Sequence, residues 1–149
     1  MSGGVVERDT KQRVAKSYAK QKAMANIGAV LVEIGPGTAT IELPFQPELT
    51  QQNGFIHAGI VTMIVDTACG YAAFSLMPPT AAVLTVEYKV NFVSPAIGEK
   101  FIARGRVLKP GRTLMVCQGE VYAVKGGQEK LVATMLATMI AREDSGLVD

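Results

Sequence analysis

The 149-residue chain is 48% apolar and 19% charged, with a formal net charge of +2. That length predicts one domain with one core, and the composition excludes a disordered chain. So small a net charge gives no footing for nucleic acid, and the most apolar stretch, Ile60 to Val65, is cut by Asp66 too early to span a bilayer.

The charges are uneven. No Lys or Arg occurs from Ala23 to Tyr88. Basic residues crowd the N-terminus and return from Lys89 onward, at Lys100, Arg104, Arg106, Lys109 and Arg112. The second cluster suits an anionic ligand or a solvated sheet face. Cys69 and Cys117 lie far apart in apolar surroundings, without metal-ligand spacing. They read as free buried thiols, so neither a disulfide nor a metal is expected. The N-terminus is polar and lacks the apolar core of a signal peptide, so a cytoplasmic protein is expected.

In chain order, residues from Glu7 to about Ala25 predict an amphipathic helix, with Val14, Tyr18 and Ala25 on its apolar side. Ala29 to Ile34 and Thr38 to Leu43, joined by Gly35-Pro36-Gly37, predict a hairpin. A loop bracketed by Pro44 and Pro47 runs to about Phe55. Gly59 to Leu76 is apolar nearly all round and stops at Pro78-Pro79, which predicts a buried helix. Four strands follow, near Ala82–Val93, Lys100–Leu108, Thr113–Val124 and Lys130–Ala141, each break holding Gly or Pro. Strand alternation puts Thr85, Glu87, Lys89 and Asn91 on one face of the first of these. The expected fold class is α+β, an antiparallel sheet curled around one buried helix. The domain is expected over 24–141, with a helical extension over 1–23 and a tail over 142–149.

Asp66 is the one acid between Glu48 and Glu87, set mid-helix with no cation nearby in sequence. An unpaired buried carboxylate is costly. Two readings fit it: a carboxylate bonded to neighbouring backbone, or an acid tuned by desolvation for catalysis. His57, the single histidine, precedes Ala58-Gly59 where that helix begins. It reads as a structural hydrogen-bonder or as part of a ligand turn. A helix start offers free N–H groups, and small residues let a carbonyl reach them, as an oxyanion hole requires. His57 and Asp66 are nine positions apart, which on one helix means opposite faces and roughly 13 Å of axis. A site using both therefore forms between two chains.

The stretch Asn53-Gly54-Phe55-Ile56-His57-Ala58-Gly59, with Asp66 and then Ser94-Pro95-Ala96, resembles the phenylacetate-pathway (PaaI-like) branch of hotdog-fold acyl-CoA thioesterases. Val107 to Thr113 resembles that family's strand-turn-strand segment, and the likeness covers about Ala23 to Ala141. The resemblance implies a homodimer, often paired into a homotetramer, with interfacial sites and no cofactor beyond the coenzyme A of an acyl-CoA substrate. It places the catalytic acid on Asp66, as base or nucleophile. It places the carbonyl-holding turn on His57, Ala58 and Gly59, a water-positioning hydroxyl on Thr85, and an amide on Gln51, with Asn53 as substitute. Phe55, Ile56, Phe74 and Met77 are candidates to line an acyl pocket, with plain core packing the alternative for each. Lys89, Lys109, Gly111 and Arg112 are candidates for contacts to coenzyme A. Two departures stand out: Ala58 replaces the turn's middle glycine, and Gln51 replaces an asparagine.

Thioester hydrolysis is the expected function. A hotdog hydratase or dehydratase would combine His with Asp or Glu in another constellation. A non-catalytic acyl-CoA-binding module would have no need of Asp66.

Overall fold

The structure is a computed structural model describing residues 2–143, 146, 147 and 149, with side chains from Glu7 onward. The element order is α1 (Ser2–Ala19), α2 (Lys22–Ile27), β1 (Val30–Gly35), β2 (Thr38–Pro44), a short 3-10 turn (Pro47–Leu49), α3 (Ala58–Phe74), then β3 (Ala82–Phe92), β4 (Lys100–Lys109), β5 (Leu114–Lys125) and β6 (Gln128–Arg142). The hairpin, the buried helix and the four later strands lie where the pattern predicts them. Every pairing is antiparallel, and the sheet order is β1-β2-β4-β5-β6-β3. Among the described residues, no helix is long and apolar enough to cross a membrane.

The sheet curls around α3, whose Val61, Ile64, Val65, Ala68 and Cys69 are buried against it. Gly105 on β4 and Gly119 on β5 face each other across the ladder. A Cβ on Gly105 would stand 2.5 Å from the Ala68 backbone, and one on Gly119 2.4 Å from a Val65 methyl. The helix therefore rests directly on bare backbone, an approach that any side chain there would block.

The predicted N-terminal helix is two helices. The chain turns at Lys20-Gln21, whose N–H groups bond back to Ser17 and Tyr18 carbonyls. The turn swings Met24 and Ile27 into the core and leaves Ala25 exposed, reversing the sequence expectation. It also carries the Gln21 amide to the Tyr71 hydroxyl, beside a buried Ser17–Tyr71 hydrogen bond. One turn earlier, Arg13 caps α3. Its guanidinium donates to the carbonyls of Phe74, Met77 and Pro78 at 2.9–3.1 Å and lies 4.2 Å above the Phe74 ring. The Phe74 and Pro78 carbonyls also accept the Met77 and Ala81 N–H groups, so Arg13 ties α1 to the end of α3 and to the turn that follows it. Arg13→Ala is expected to cost about 2 kcal/mol and Arg13→Lys about half of that, because an ammonium cannot span three carbonyls. Urea unfolding of both variants measures it, and equal midpoints with wild type would show the cap to be idle.

Strict alternation breaks at four places, where Val32, Val86, Leu108 and Val132 are extra residues, and the breaks on β3 and β6 matter here. On β3, Thr85 pairs with Met139 and Glu87 with Thr138, leaving Val86 extra. On β6, Ala133 pairs with Val121 and Leu131 with Tyr122, leaving Val132 extra. The β3 bulge corrects the predicted face of that strand. Thr85 shares the helix side with Tyr88, Val90 and Phe92, whose partners Ala137, Met135 and Ala133 are buried. Glu87, Lys89 and Asn91 face the other way.

Candidate active site

The chain enters α3 through a braced corner. Gln51 N–H bonds Phe55 O, Gly54 N–H bonds Gln51 O, His57 N–H bonds Leu49 O, and Ile56 N–H bonds Ala96 O. His57 is the N-cap: its Nδ1 accepts the Gly59 N–H at 2.8 Å. That satisfies one of the orphan donors at the helix start. Of the two N–H groups expected to face a ligand, Gly59's is therefore taken by the ring. Ala58, the first helical residue, has no hydrogen-bond acceptor for its N–H among the described residues, and it is exposed. The missing middle glycine is tolerated because the Ala58 position is an ordinary helical one.

Gln51 and Asn53 divide one job. The Gln51 side-chain oxygen accepts the Asn53 backbone N–H, which holds the carboxamide inside the turn. Gln51, with Phe55, Ile56 and Ala58, lines a hollow of about 160 Å³ beside the helix start. The Asn53 side chain is exposed and does not line it.

Asp66 sits two turns further along α3 and is half-buried. The Thr85 hydroxyl donates to its Oδ1 at 2.8 Å; Thr85 lies just before the bulge, on the face that Val83 already turns to the core. Burial holds the Asp66 carboxyl above the usual carboxylate range, and the Thr85 hydrogen bond pulls it partly back. No ion pair involving Asp66 occurs among the described residues. The N-terminal half of α3 is not buried all round, as its composition predicts. Ala58 and Gly59 are exposed, and Thr62, Met63, Asp66 and Thr67 are half-buried. Asp66 therefore has an open side.

The two thiols are free and buried, Cys69 beside Cys117 and Asp66. Burial pushes both up, Cys117 to about 11, so neither is a nucleophile at neutral pH. The remaining sequence candidates lie elsewhere. Lys89 is on the sheet face opposite Thr85. Lys109, Gly111 and Arg112 are in or beside the β4–β5 turn, the two cations exposed with no side-chain partner among the described residues. Gly111 is required there, since a Cβ would meet Leu114 O at 2.0 Å. The pocket candidates Phe74 and Met77 are instead core residues at the far end of α3 and do not line the hollow; Val132 and Phe92, which the sequence did not single out, do, and only the bulge and the strand register bring them there.

A six-stranded antiparallel sheet wrapped on one long helix is the hotdog architecture. Residues 53–130 match the model of the Thioesterase superfamily, and the chain belongs to that superfamily. A thioesterase family protein from Silicibacter pomeroyi, of known crystal structure, is 51% identical, covering 90% of this chain and 98% of its own, with a TM-score of 0.89. Human acyl-coenzyme A thioesterase 13 is 31% identical over 85 residues, 56% of this chain and 60% of the human protein. The PaaI protein of the E. coli phenylacetic acid degradation operon, 19% identical over 92% of this chain and 96% of its own with a TM-score of 0.82, shares the fold.

Proposed function

We propose that the chain hydrolyses acyl-CoA thioesters in a site shared by two copies. The observation that carries this is a separation: Ala58 N–H and Asp66 are eight residues apart, about 12 Å of helix axis. One thioester carbonyl cannot touch both within a chain, since each contact needs about 3 Å.

The edge strand β3 supplies the junction. Leu84, Val86, Tyr88 and Phe92 are 44–53% exposed along it, an unpaired apolar edge of the kind that recruits another strand. Antiparallel addition of a second β3 about a two-fold axis sets the start of one strand beside the end of the other. Thr85 is near the start, beside Asp66, and Phe92 is at the end, beside the Ala58 hollow. A homodimer therefore has two composite sites, each taking its acid from one copy and its donor from the other.

In such a site Ala58 N–H binds the thioester oxygen and stabilises the negative charge that develops on it. The Gln51 amide adds a second polar group. Thr85 fixes Oδ1 of Asp66, leaving Oδ2 to take a proton from water as that water attacks the carbonyl carbon. Collapse of the tetrahedral intermediate breaks the C–S bond and releases coenzyme A as thiolate, which takes up a proton, with the free acid. Exposed Lys109 and Arg112 are the candidates for the phosphates of coenzyme A. If Asp66 attacks directly instead, a burst of coenzyme A precedes acid release.

Free-thiol release from acetyl-, hexanoyl-, decanoyl- and benzoyl-CoA tests the reading, with the mass of the active species measured by light scattering. Turnover of at least one ester by a dimer or a multiple of it is expected. Inertness toward the whole panel moves the binding-module reading ahead.

A further inference from the structure

We propose that Val132 sets the upper size of the acyl group, because the bulge on β6 makes it the floor of the hollow beside Ala58. The inference rests on the thioesterase reading above and goes beyond it to specificity.

In strict alternation Val132 would share the outer face with Thr134 and Leu136. The bulge cancels that: Val132 is 1% exposed, next to the equally buried Ala133. Its carbonyl accepts the N–H groups of Val93 and Ser94, tying the bulge to the segment that walls the other side. A bulge beside a site commonly serves to re-aim one side chain, and here the re-aimed side chain meets the hollow.

The shape decides which part of the substrate enters. The floor is closed by Ile56, Val61, Ala96 and Val132, each at most 8% exposed, and all are apolar. The rim carries Gln51 and the Ala58 helix start. With the carbonyl oxygen on Ala58 N–H, the reacting carbon has two substituents. The pantetheine arm is long and polar and must continue to solvent, so a dead end cannot hold it. The acyl group is apolar and ends, so it fits. An apolar cavity of about 150 Å³ holds a benzene-sized ring, and this hollow is about 160 Å³. The acyl group is therefore a branched short chain or a single ring, and a long linear chain overruns the floor.

The test is kcat/KM for propionyl-, isovaleryl-, hexanoyl-, benzoyl- and decanoyl-CoA with wild type, Val132→Ala and Val132→Leu. Wild type is expected to favour the middle of the series and to fall at decanoyl. Val132→Ala should raise the decanoyl-to-hexanoyl ratio about tenfold, and Val132→Leu should lower the benzoyl-to-propionyl ratio by a similar factor, the usual effect of a methylene or two in an apolar pocket. Ala96→Val, also on the floor, should act as Val132→Leu does and covers the case in which leucine at the bulge fails to fold. All esters changing in parallel would place the shared pantetheine arm in the hollow and overturn the proposal, as would an unchanged profile. Inert wild type is a different failure, that of the thioesterase reading itself.

Discussion

Asp66→Asn is expected to lower kcat/KM by about three orders of magnitude while leaving the protein folded, the loss typical of removing a general base. Asparagine keeps the shape and an oxygen for the Thr85 hydroxyl, so the 2.8 Å contact can survive. What goes is the group that takes the proton. The pH profile of wild type should carry the signature of that group. Because burial raises the Asp66 carboxyl, activity should fall with acidification at a pH above the ordinary carboxylate range.

The same shift makes a prediction about stability with the opposite sign. A carboxyl raised in the native state binds its proton more tightly there than in the unfolded chain. Its contribution to stability is fully present below the unfolded value, near 3.9, and is lost as pH rises through the raised native one. At neutral pH wild type therefore bears the cost of a half-buried charge that Asp66→Asn does not. The variant should melt above wild type at neutral pH, with the difference shrinking under acid. Thermal scans at several pH values check this together with thiol release. A variant that is inactive and melts lower at every pH would make Asp66 a structural residue, and a fully active one would put the chemistry elsewhere.

Ala58→Pro is the second large effect, and the fold invites it. Position 58 is the first residue of α3, where proline is favoured because its missing N–H has no partner in the helix. His57 has φ −59° and ψ 136°, the extended conformation that a residue before proline prefers. The substitution thus deletes the proposed oxyanion donor with little disturbance, and kcat/KM should drop by 10²–10³-fold, roughly the cost of one such donor. Ala58→Gly, which keeps the N–H, should stay active.

The pair of variants also tests the shared site. Each should be inactive alone. Mixed dimers from co-expression put an intact Ala58 from one chain beside an intact Asp66 from the other. Random pairing makes half the dimers mixed, each with one working site, so about a quarter of wild-type activity should return. No recovery, with mixed dimers shown to form, would place donor and acid within one chain.

Much of this was legible in the sequence because it depends on local pattern. An apolar run bounded by prolines gives α3, and Gly- and Pro-marked breaks give the strands. The spacing of His57, Ala58 and Asp66 alone forces the donor and the acid apart, since helix geometry fixes it. Other features needed three dimensions. Whether Gly59 N–H was free depended on the His57 ring, which folds back onto it. Whether Gln51 or Asn53 reached the hollow depended on a turn that uses one to hold the other. The face of β3 was misread because period-two alternation has no term for an extra residue, and whether a strand bulges is settled by its partner's register. Nor does the sequence show that Gly105 and Gly119 meet, since they become neighbours only when β4 and β5 pair. The sequence by itself determined the elements and their periods, because backbone propensity and hydrophobic spacing act over a few residues. Only the tertiary structure decided which side chains share the site, because bulges, caps and helix-on-sheet contacts are set by packing between distant segments.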